Sequence, residues 1–457
     1  MNGKKVMVLG MARSGVAAAK RLASQGACVR ISDQKTREAL AAAVAPLEGL
    51  ENIEWRLGEK AEELLAGEDM LIISPGVPID SPVVKKAEEL GVEVIGELEL
   101  GYRTGDGLLI GITGTNGKTT TTTLVGEILK NAGRQTYVVG NIGFPYTAVS
   151  GEMKPEDATV CEVSSFQLES VREFRPHVSA ILNITEDHLN RHYTMENYAS
   201  VKARIFENQT AEDYTVLNWD DAALRIMGEK TDAQTVWFSR KEVPPFGAFV
   251  MDGNIVYGDK SEYQVVCPVN EVYIPGPHNL ENALAATAIA VSAGIPLPVI
   301  RHTLRTFRGV EHRIEFVREL DGVRFINDSK GTNSDSTIKA VETMNKPTVL
   351  ILGGSDKHVD FTGMCEVIYK SPYIRNIVLI GQTAAQLDET LKKVGYTAYE
   401  HAGYDFRAAI ERAFDLAVEG GNVLLSPACA SFDMFKDFEQ RGEIFKEIVS
   451  ALKSRKA

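Results

Sequence analysis

The chain has 457 residues, of which 44% are apolar and 24% are charged, a composition typical of a soluble globular protein. At roughly 150 residues per domain, this length predicts about three domains. The formal net charge of -13 argues against a nucleic-acid partner held through its phosphates, so an anionic substrate requires loop amides and a few placed cations.

No apolar run is long enough to cross a bilayer, and the run at the N-terminus is too short for a signal peptide. The cysteines are scattered without a C-x-x-C pair, so we expect buried, reduced thiols. We therefore expect a cytoplasmic protein that binds neither a membrane nor a nucleic acid. The five cysteines are Cys28, Cys161, Cys267, Cys365 and Cys429.

Short apolar runs alternate with segments of helical period along most of the chain. This alternation predicts parallel sheets with crossover helices, a doubly wound α/β architecture. Three blocks can be separated, at residues 1–96, 97–308 and 309–457. Within the middle block, residues 241–266 predict short antiparallel strands.

The first block opens with GMARSG, Gly10 to Gly15, directly after a strand. It has the frame of a dinucleotide fingerprint, with Ala12 in place of the middle glycine, and Asp33 closes the next strand. The stretch therefore fits NAD or another diphosphate-linked nucleotide. Arg13 and Ser14 would be additional phosphate donors.

A glycine-rich loop, GITGTNGKTTTTTL at residues 111–124, joins a strand to a helix. The common phosphate loop has a glycine where this chain has Ile112, but strand, loop and helix together still predict a phosphate cradle. Lys118 would reach the outer phosphates, and Thr119 would offer its hydroxyl to magnesium. The N–H groups expected to face the anion are those of Gly114, Asn116 and Gly117. The apolar face of the helix is Leu124, Val125, Ile128 and Leu129, with Gly133 as its C-cap.

The next three strands also end in polar residues, and the carboxyl ends of neighbouring strands form the ligand crevice of an open α/β sheet. Glu162 is either a magnesium ligand or a salt-bridged strand end. His188 taken alone is typical of a helix start, and Lys202, by spacing alone, is expected to be solvated or ion-paired. The residues at these strand ends are Asn141, Glu162, Ser164, Thr185, Asp187 and His188.

Three loops of the last block, at 327–336, 352–361 and 424–442, each follow an apolar strand. Lys330, Lys357 and the Ser431 region would make a cationic, hydroxyl-rich pocket for carboxylates. Ordinary strand–helix turns are the alternative.

The sequence resembles the Mur ligases of peptidoglycan synthesis over essentially its whole length. The last three motifs and the GMARSG opening look most like those of the members that add D-glutamate. The motifs, in the order expected of the family, are TGTNGKTTT, GNIG, EVSSFQLE, NITEDHLNRH, VKARIFE, GPHNLENALAA, HRIEFV, INDSKGTN, LGGSDK and SPACASFDMFKDFEQRG.

This resemblance implies a Rossmann-like UDP-binding domain at 1–96, a central P-loop ATPase domain with a mostly parallel sheet at 97–308, and a Rossmann-like domain at 309–457 that closes on ATP and the amino acid. It implies that ATP phosphorylates the alanine carboxylate of UDP-MurNAc-L-Ala, and that the amine of D-glutamate displaces phosphate from the acyl phosphate. ATP and two Mg²⁺ sites are expected, with small-molecule partners only and a monomeric chain.

The resemblance also implies site residues. Catalytic roles fall on Lys118, Asn141, Glu162, His188 and Lys202. The metal matches are Thr119, Glu162, His188 and Lys202, the last carried as a carbamate. The ATP matches are Gly114, Thr115, Asn116, Gly117, Lys118, Thr119, Thr120, Asn279, Asn282, Arg313 and Asp328. The UDP-substrate matches are Arg13, Ser14, Asp33, Gln34, Ser74, Asn141, Ser164 and Gln167. The D-glutamate matches are Lys330, Thr332, Lys357, Ser431 and Phe438.

Three other interpretations are distinguishable. One is a neighbouring amide ligase, either another Mur enzyme or a folylpolyglutamate synthetase. A second is an NAD-dependent oxidoreductase, which rests on Gly10 to Gly15 alone. The third is a non-catalytic ATP-driven switch.

Overall fold

The computed structural model describes residues 1–355 and 359–455. The chain divides into two compact units, Met1–Phe307 and Arg308–Ala457. Lys357, predicted to contact D-glutamate, lies outside the described residues. In the part of the chain that is described, no helix combines the length and apolarity needed to span a membrane.

A parallel sheet in the order β3-β2-β1-β4-β5 forms the N-terminal part of the first unit. The strand β1 is apolar and almost wholly buried because helices cover both faces of such a sheet. The elements are β1 (Lys5–Leu9), α1 (Arg13–Ser24), β2 (Cys28–Asp33), α2 (Ala41–Val44), β3 (Ile53–Leu57), β4 (Met70–Ile73), α3 (Pro82–Glu89) and β5 (Glu93–Gly96), with 3₁₀ turns at Ala45–Leu47 and Ala61–Leu64.

The helix α4 (Glu97–Thr104) leads into the central sheet, whose order is β14-β13-β12-β11-β10-β9-β6-β8-β7. Its strands are β6 (Leu108–Thr113), β7 (Thr136–Gly140), β8 (Ala158–Glu162), β9 (Val178–Ile181), β10 (Tyr214–Asn218), β11 (Gln234–Ser239), β12 (Gly247–Met251), β13 (Asn254–Gly258) and β14 (Tyr263–Pro268). Its helices are α5 (Lys118–Asn131), α6 (Tyr146–Val149), α7 (Ser165–Leu168), α8 (Leu189–His192), α9 (Met195–Ala203), α10 (Ala222–Gly228), α11 (Pro277–Ser292) and α12 (Leu297–Thr306), with 3₁₀ turns at Arg204–Phe206 and Val269–Glu271.

The antiparallel strands predicted within residues 241–266 are confirmed, but they extend the central sheet. The strand β12 pairs parallel with β11, and β13 and β14 then add antiparallel. At the outer edge, the guanidinium of Arg301 on α12 donates to the carbonyls of Val265 and Val266. A strand edge with free carbonyls can pair with a further strand, and Arg301 disfavours such pairing because it occupies two carbonyls of this edge.

The second unit has the sheet order β15-β16-β20-β17-β18-β19, in which β15 and β16 are antiparallel and the other pairs are parallel. Its strands are β15 (Glu315–Leu320), β16 (Val323–Asn327), β17 (Thr348–Gly353), β18 (Ile374–Ile380), β19 (Tyr399–Gly403) and β20 (Asn422–Leu425). Its helices are α13 (Ser334–Thr343), α14 (Thr362–Lys370), α15 (Ala384–Val394), α16 (Phe406–Leu416) and α17 (Phe438–Ala451).

The α/β architecture with three sheets is thus confirmed, while the bounds at 96 and 308 stay a prediction. The predicted apolar face of α5 is confirmed, since Leu124, Val125, Ile128 and Leu129 are all fully buried. Four cysteines are buried as expected. The prediction is wrong for Cys28, which is exposed because it opens β2 at the rim of its sheet.

Candidate active site

The loop between β6 and α5 is shaped by two glycines. Gly114 has φ 147° and Gly117, the N-cap of α5, has φ 82°, a conformation that L-residues avoid. A Cβ on Gly117 would also overlap the side-chain oxygen of Asn282 at the start of α11. The loop and α11 therefore approach closely, while the ATP-binding roles of Asn279 and Asn282 stay a prediction.

Lys118 is folded back onto its own loop. Its ammonium donates to the carbonyl oxygens of Gly114 at 2.8 Å and Thr115 at 2.9 Å. A phosphate would offer the same ammonium a charged acceptor, which makes a stronger hydrogen bond than a carbonyl. The side chain is thus placed to exchange these carbonyls for phosphate oxygens.

The amide of Asn116 is engaged within the protein, contrary to the expectation that it faces an anion. Its N–H donates to Oδ1 of Asn183 at 2.8 Å, and Nδ2 of Asn183 donates to the Asn116 carbonyl at 3.1 Å. Asn183, two residues after β9, thus fixes the loop from the neighbouring strand. The sequence offered one signal for this role, an asparagine just beyond a buried strand.

Glu162 ends β8 and is almost fully buried. Its Oε1 accepts a hydrogen bond from Nδ2 of Asn141 at 2.7 Å. Its Oε2 is buried and has no hydrogen-bond partner among the described residues. The predicted alternative of a salt-bridged strand end is not what this carboxylate shows. A buried carboxylate oxygen left over requires a partner, and a magnesium ion fits it.

Lys202 is buried, so the expectation of a solvated or ion-paired lysine is wrong. Its ammonium lies 3.0 Å from the Gly114 carbonyl oxygen and 4.7 Å from the centre of the Tyr198 ring. Burial, together with the charge of Lys118, lowers the pKa of Lys202 to about 7. Tyr198, one helical turn earlier on α9, was not singled out, and its hydroxyl lies 3.2 Å from that of Thr115.

His188 is the N-cap of α8, as expected of a helix start, and its φ is 53°. About half of its side chain is exposed, with Nε2 3.5 Å from Asp187 Oδ2 and the ring centre 4.9 Å from that of Phe166. The imidazole is therefore open to a ligand on one side.

The first domain offers a compact turn after β1. Gly10 has φ 92°, and a Cβ on Gly15 would overlap the Gly10 carbonyl, which explains both fingerprint glycines. Asp33 accepts the N–H groups of Met11 at 2.8 Å and Lys35 at 2.9 Å. The partly exposed carboxylate thus shapes this turn.

The other predicted UDP-substrate residues differ in their surroundings. Ser74 is buried and donates to the Gly10 carbonyl at 3.2 Å, Arg13 donates to the Gly143 carbonyl, and Gln34 is exposed. Ser164 and Gln167 form a reciprocal capping box at the start of α7. Their side chains are occupied with each other, so their predicted contact with substrate stays a prediction.

In the second unit, Lys330 and Phe438 come together, with the ammonium 5.9 Å from the ring centre. Ser431 is buried, and its Oγ has no hydrogen-bond partner among the described residues. Arg441, which sequence reasoning passed over, donates to Ser329 Oγ at 2.9 Å and to the Cys429 carbonyl at 3.2 Å. This buried guanidinium holds the two loops that carry Lys330 and Ser431. Thr332, partly exposed, lies in the same loop as Lys330.

Asp328, predicted to contact ATP, is buried within the second unit. It accepts Oγ of Ser426 at 2.6 Å and the N–H of Ile314 at 3.2 Å. Burial outweighs the opposing effects of the Ser426 hydrogen bond and the Arg313 charge, and the pKa of Asp328 is raised to about 7. Arg313 is partly exposed, which leaves its side chain accessible.

Family models match most of the chain. They are the Mur ligase MurD-like N-terminal domain at residues 4–96, the Mur ligase middle domain at 112–290, and the Mur ligase glutamate ligase domain at 312–429. Solved structures agree on the fold. A UDP-N-acetylmuramate-alanine ligase from Thermotoga maritima is 21% identical with a TM-score of 0.57, covering 98% of this chain and 100% of that one. A MurF ligase from Thermotoga maritima in complex with ADP is 16% identical with a TM-score of 0.56, covering 98% and 96%. The chain therefore belongs to the Mur ligase family.

Closer relatives narrow this assignment. A UDP-N-acetylmuramoylalanine–D-glutamate ligase from Caldanaerobacter subterraneus is 48% identical over 98% of this chain and 99% of its own length. The enzyme of that name from Clostridioides difficile is 45% identical over 99% and 100%. Within the family, the chain belongs to this group of ligases, which rules out the oxidoreductase interpretation of Gly10 to Gly15.

Proposed function

We propose that the chain joins D-glutamate to UDP-N-acetylmuramoyl-L-alanine with hydrolysis of ATP to ADP and phosphate. A carboxylate oxygen of alanine attacks the γ-phosphorus, ADP leaves, and an acyl phosphate results. The glutamate amine then attacks the acyl carbon, phosphate leaves, and the amine loses a proton as the amide forms. The observation that carries this proposal is Oε2 of Glu162, which is buried without a partner among the described residues, at the end of the strand that pairs with β6, next to the loop that holds Lys118.

Within this proposal, Lys118 and the loop N–H groups offset the charge that develops in phosphoryl transfer. Asn141 holds Glu162 through Oε1, so that Oε2 keeps a fixed direction. Thr119, Glu162, His188 and Lys202 would hold magnesium, which would neutralise phosphate charge at this place. Binding of ATP and of the UDP-sugar on neighbouring strand ends brings the carboxylate and the γ-phosphate together.

Lys202 suits a magnesium site only as a carbamate. Its neutral amine would attack CO₂, forming an N-carboxylate and releasing a proton. Burial disfavours the ammonium form of an amine, and burial of Lys202 beside Lys118 does so here. The modification would turn a cation that repels magnesium into an oxygen ligand.

The D-glutamate carboxylates would bind in the second unit, on Lys330, Thr332, Lys357, Ser431 and Phe438. Support comes from Lys330 beside Phe438, and from the buried Oγ of Ser431 that has no partner among the described residues. The residues Arg13, Ser14, Asp33, Gln34, Ser74, Asn141, Ser164 and Gln167 would hold the UDP-sugar. A monomer in the cytoplasm is part of the same proposal.

The test is phosphate release with ATP, Mg²⁺ and UDP-MurNAc-L-Ala, with D-glutamate, L-glutamate, L-lysine or diaminopimelate added in turn. We expect release that depends on D-glutamate alone, with a new amide in the product by mass spectrometry. Release that ignores D-glutamate would refute the assignment, and release without any amino acid would favour an ATP-driven switch.

A further inference from the structure

The single-turn helix α8 lies between two strained residues. His188 before it has φ 53° and Tyr193 after it has φ 67°. A positive φ at a non-glycine residue costs free energy, and such strain persists only where the surrounding structure imposes it. A single turn of helix is also not stable on its own. Contacts from elsewhere in the fold must therefore keep this turn in place.

His192, the last residue of α8, supplies the most buried of these contacts. Its side chain is 1% exposed, and its Nε2 lies 2.9 Å from Oγ of Ser165 at the start of α7. Its Nδ1 lies 3.6 Å from Oε1 of Glu169. Its backbone N–H donates to the His188 carbonyl at 3.0 Å, so the residue that carries this ring is joined to the strained residue across one helical turn.

Arg191 adds a second tie from the same turn. Its guanidinium donates to both carboxylate oxygens of Glu169 and lies 5.1 Å from the centre of the Phe166 ring. It also donates to the Val77 carbonyl at 3.0 Å, in the loop that follows Ser74. Glu169 thus serves both Arg191 and His192.

Contacts between tilted aromatic rings connect His192 to the residues of the candidate metal site. The His192 ring centre lies 5.2 Å from that of Tyr198 and 5.7 Å from that of Phe166. Tyr198 faces the ammonium of Lys202, and Phe166 faces the ring of His188. His192 therefore packs between the two side chains that contact Lys202 and His188.

A serine, a histidine and a glutamate in this order also make up a hydrolytic triad. Ser165 is only 2% exposed, however, so no substrate carbonyl reaches its hydroxyl. The arrangement orients groups and does not attack a substrate.

We propose that His192 is a positioning residue that holds the strained turn at His188 through its hydrogen bond to Ser165. The inference rests on the proposed function, because it assigns His188 a part in the ligase site. The imidazole nitrogen fixes one end of α8 against the start of α7, and this fixes where the His188 ring points.

The test compares His192→Phe, which keeps a ring of similar size but loses both nitrogens, with His192→Gln, whose amide can still reach Ser165. Ser165→Ala breaks the same hydrogen bond from the other side. His302→Phe, at an exposed position on α12, is the matched control. The measurements are kcat, the KM for UDP-MurNAc-L-Ala, the thermal midpoint, and Mn²⁺ binding in the presence of ADP by electron paramagnetic resonance.

We expect His192→Phe to lower kcat and weaken Mn²⁺ binding on the order of 10- to 100-fold, as removal of groups that orient metal ligands does. The KM and the thermal midpoint should change little, and His192→Gln should recover part of the loss. Ser165→Ala should reproduce the defect, and the double variant should be no worse than the worse single variant.

Equal kcat and Mn²⁺ binding in His192→Phe and wild type would overturn the proposal, as would defects that track the thermal midpoint in all variants. Additive defects in the double variant would also overturn it. Failure of the proposed function is a separate result. In that case the wild-type chain does not ligate, while Mn²⁺ binding still reports whether His192 acts on His188.

Discussion

At the scale of single residues, two buried ionisable side chains carry the most distinctive chemistry. Lys202 shares the Gly114 carbonyl with Lys118, so two amines compete for one acceptor. Asp328 is enclosed by Ser426 and a backbone N–H in the second unit. Each side chain is held in a place where its usual charged form is disfavoured.

Lys202→Ala should abolish ligation, because the residue removed would supply an oxygen ligand as its carbamate. A short carboxylic acid such as acetate should restore part of the activity by entering the vacated space. The measurement is D-glutamate-dependent phosphate release with and without acetate, and Lys130→Ala on the exposed end of α5 is the control. A fully active Lys202→Ala enzyme would remove the carbamate from the mechanism.

Asp328 should make stability depend on pH. Burial raises the pKa of Asp328 from the ordinary 3.8 to about 7. The folded state thus holds the proton more tightly, so this stabilisation is complete below pH 3.8 and is lost as the pH rises through about 7. Asp328→Asn should flatten the fall in thermal midpoint between pH 5 and about 7, measured by scanning calorimetry. The exposed Asp415→Asn should keep the wild-type slope, and parallel curves for all three proteins would contradict the assignment.

At this scale, the burial of Lys202 could not be predicted from the sequence. The residue lies in a helical segment, and helical spacing gives no sign of what the helix packs against. Its burial follows from the contact between α9 and the loop after β6, which joins positions far apart in sequence. Tyr198, on the same helix, was missed for the same reason.

At the scale of elements, the site is an assembly of strand ends. The order β9-β6-β8-β7 puts the four strands whose polar ends were expected to meet next to one another. That convergence was predictable, because apolar runs that end in polar residues mark buried parallel strands. The hydrogen bonds made by individual loop amides were not, because Asn116 is satisfied by a side chain from a different strand end.

Two glycines of nearly equal φ lie at the ends of α5. Alanine variants at these two positions separate the cost of backbone strain from an effect on nucleotide binding. Gly117 has φ 82° with no room for a Cβ, and Gly133 has φ 83° with open space around it. Alanine at either position should cost roughly 1–2 kcal/mol for the left-handed conformation. Gly117→Ala alone should also weaken ADP binding, by at least about tenfold, because the methyl group displaces Asn282. Isothermal titration calorimetry checks this, and equal ADP affinities in the two variants would contradict it.

At the scale of the whole molecule, the alternation of strands and helices was enough to predict three α/β sheets. It did not reveal that the antiparallel strands of residues 241–266 continue the central sheet, since register and pairing partners depend on tertiary packing. The separate sheets also suggest that nucleotide chemistry and binding of the UDP-sugar can be uncoupled by mutation.

Lys118→Ala and Glu162→Ala should each abolish ligation while UDP-MurNAc-L-Ala still binds with nearly wild-type affinity. Glu162 ends a strand of the central sheet and Lys118 begins the helix that follows β6, whereas most predicted UDP contacts lie at or after the ends of strands of the first sheet. Arg13→Ala should do the reverse and weaken binding of the UDP-sugar. Direct binding by calorimetry checks the three variants, and loss of UDP-sugar binding in the first two would refute the separation of roles.

The position of Arg301 has a consequence for synthesis of the chain on the ribosome. From β10 to β14, each strand pairs with the strand that precedes it in the chain, so the central sheet can lengthen as translation proceeds. The outer edge of this sheet stays unpaired until α12 has been made and the guanidinium of Arg301 donates to the carbonyls of Val265 and Val266. If synthesis stalls after β14 but before Arg301, the nascent chain exposes the unpaired edge of β14 to other nascent chains on the same messenger RNA. We therefore expect Arg301 to protect this edge from pairing with another chain only after α12 has been made.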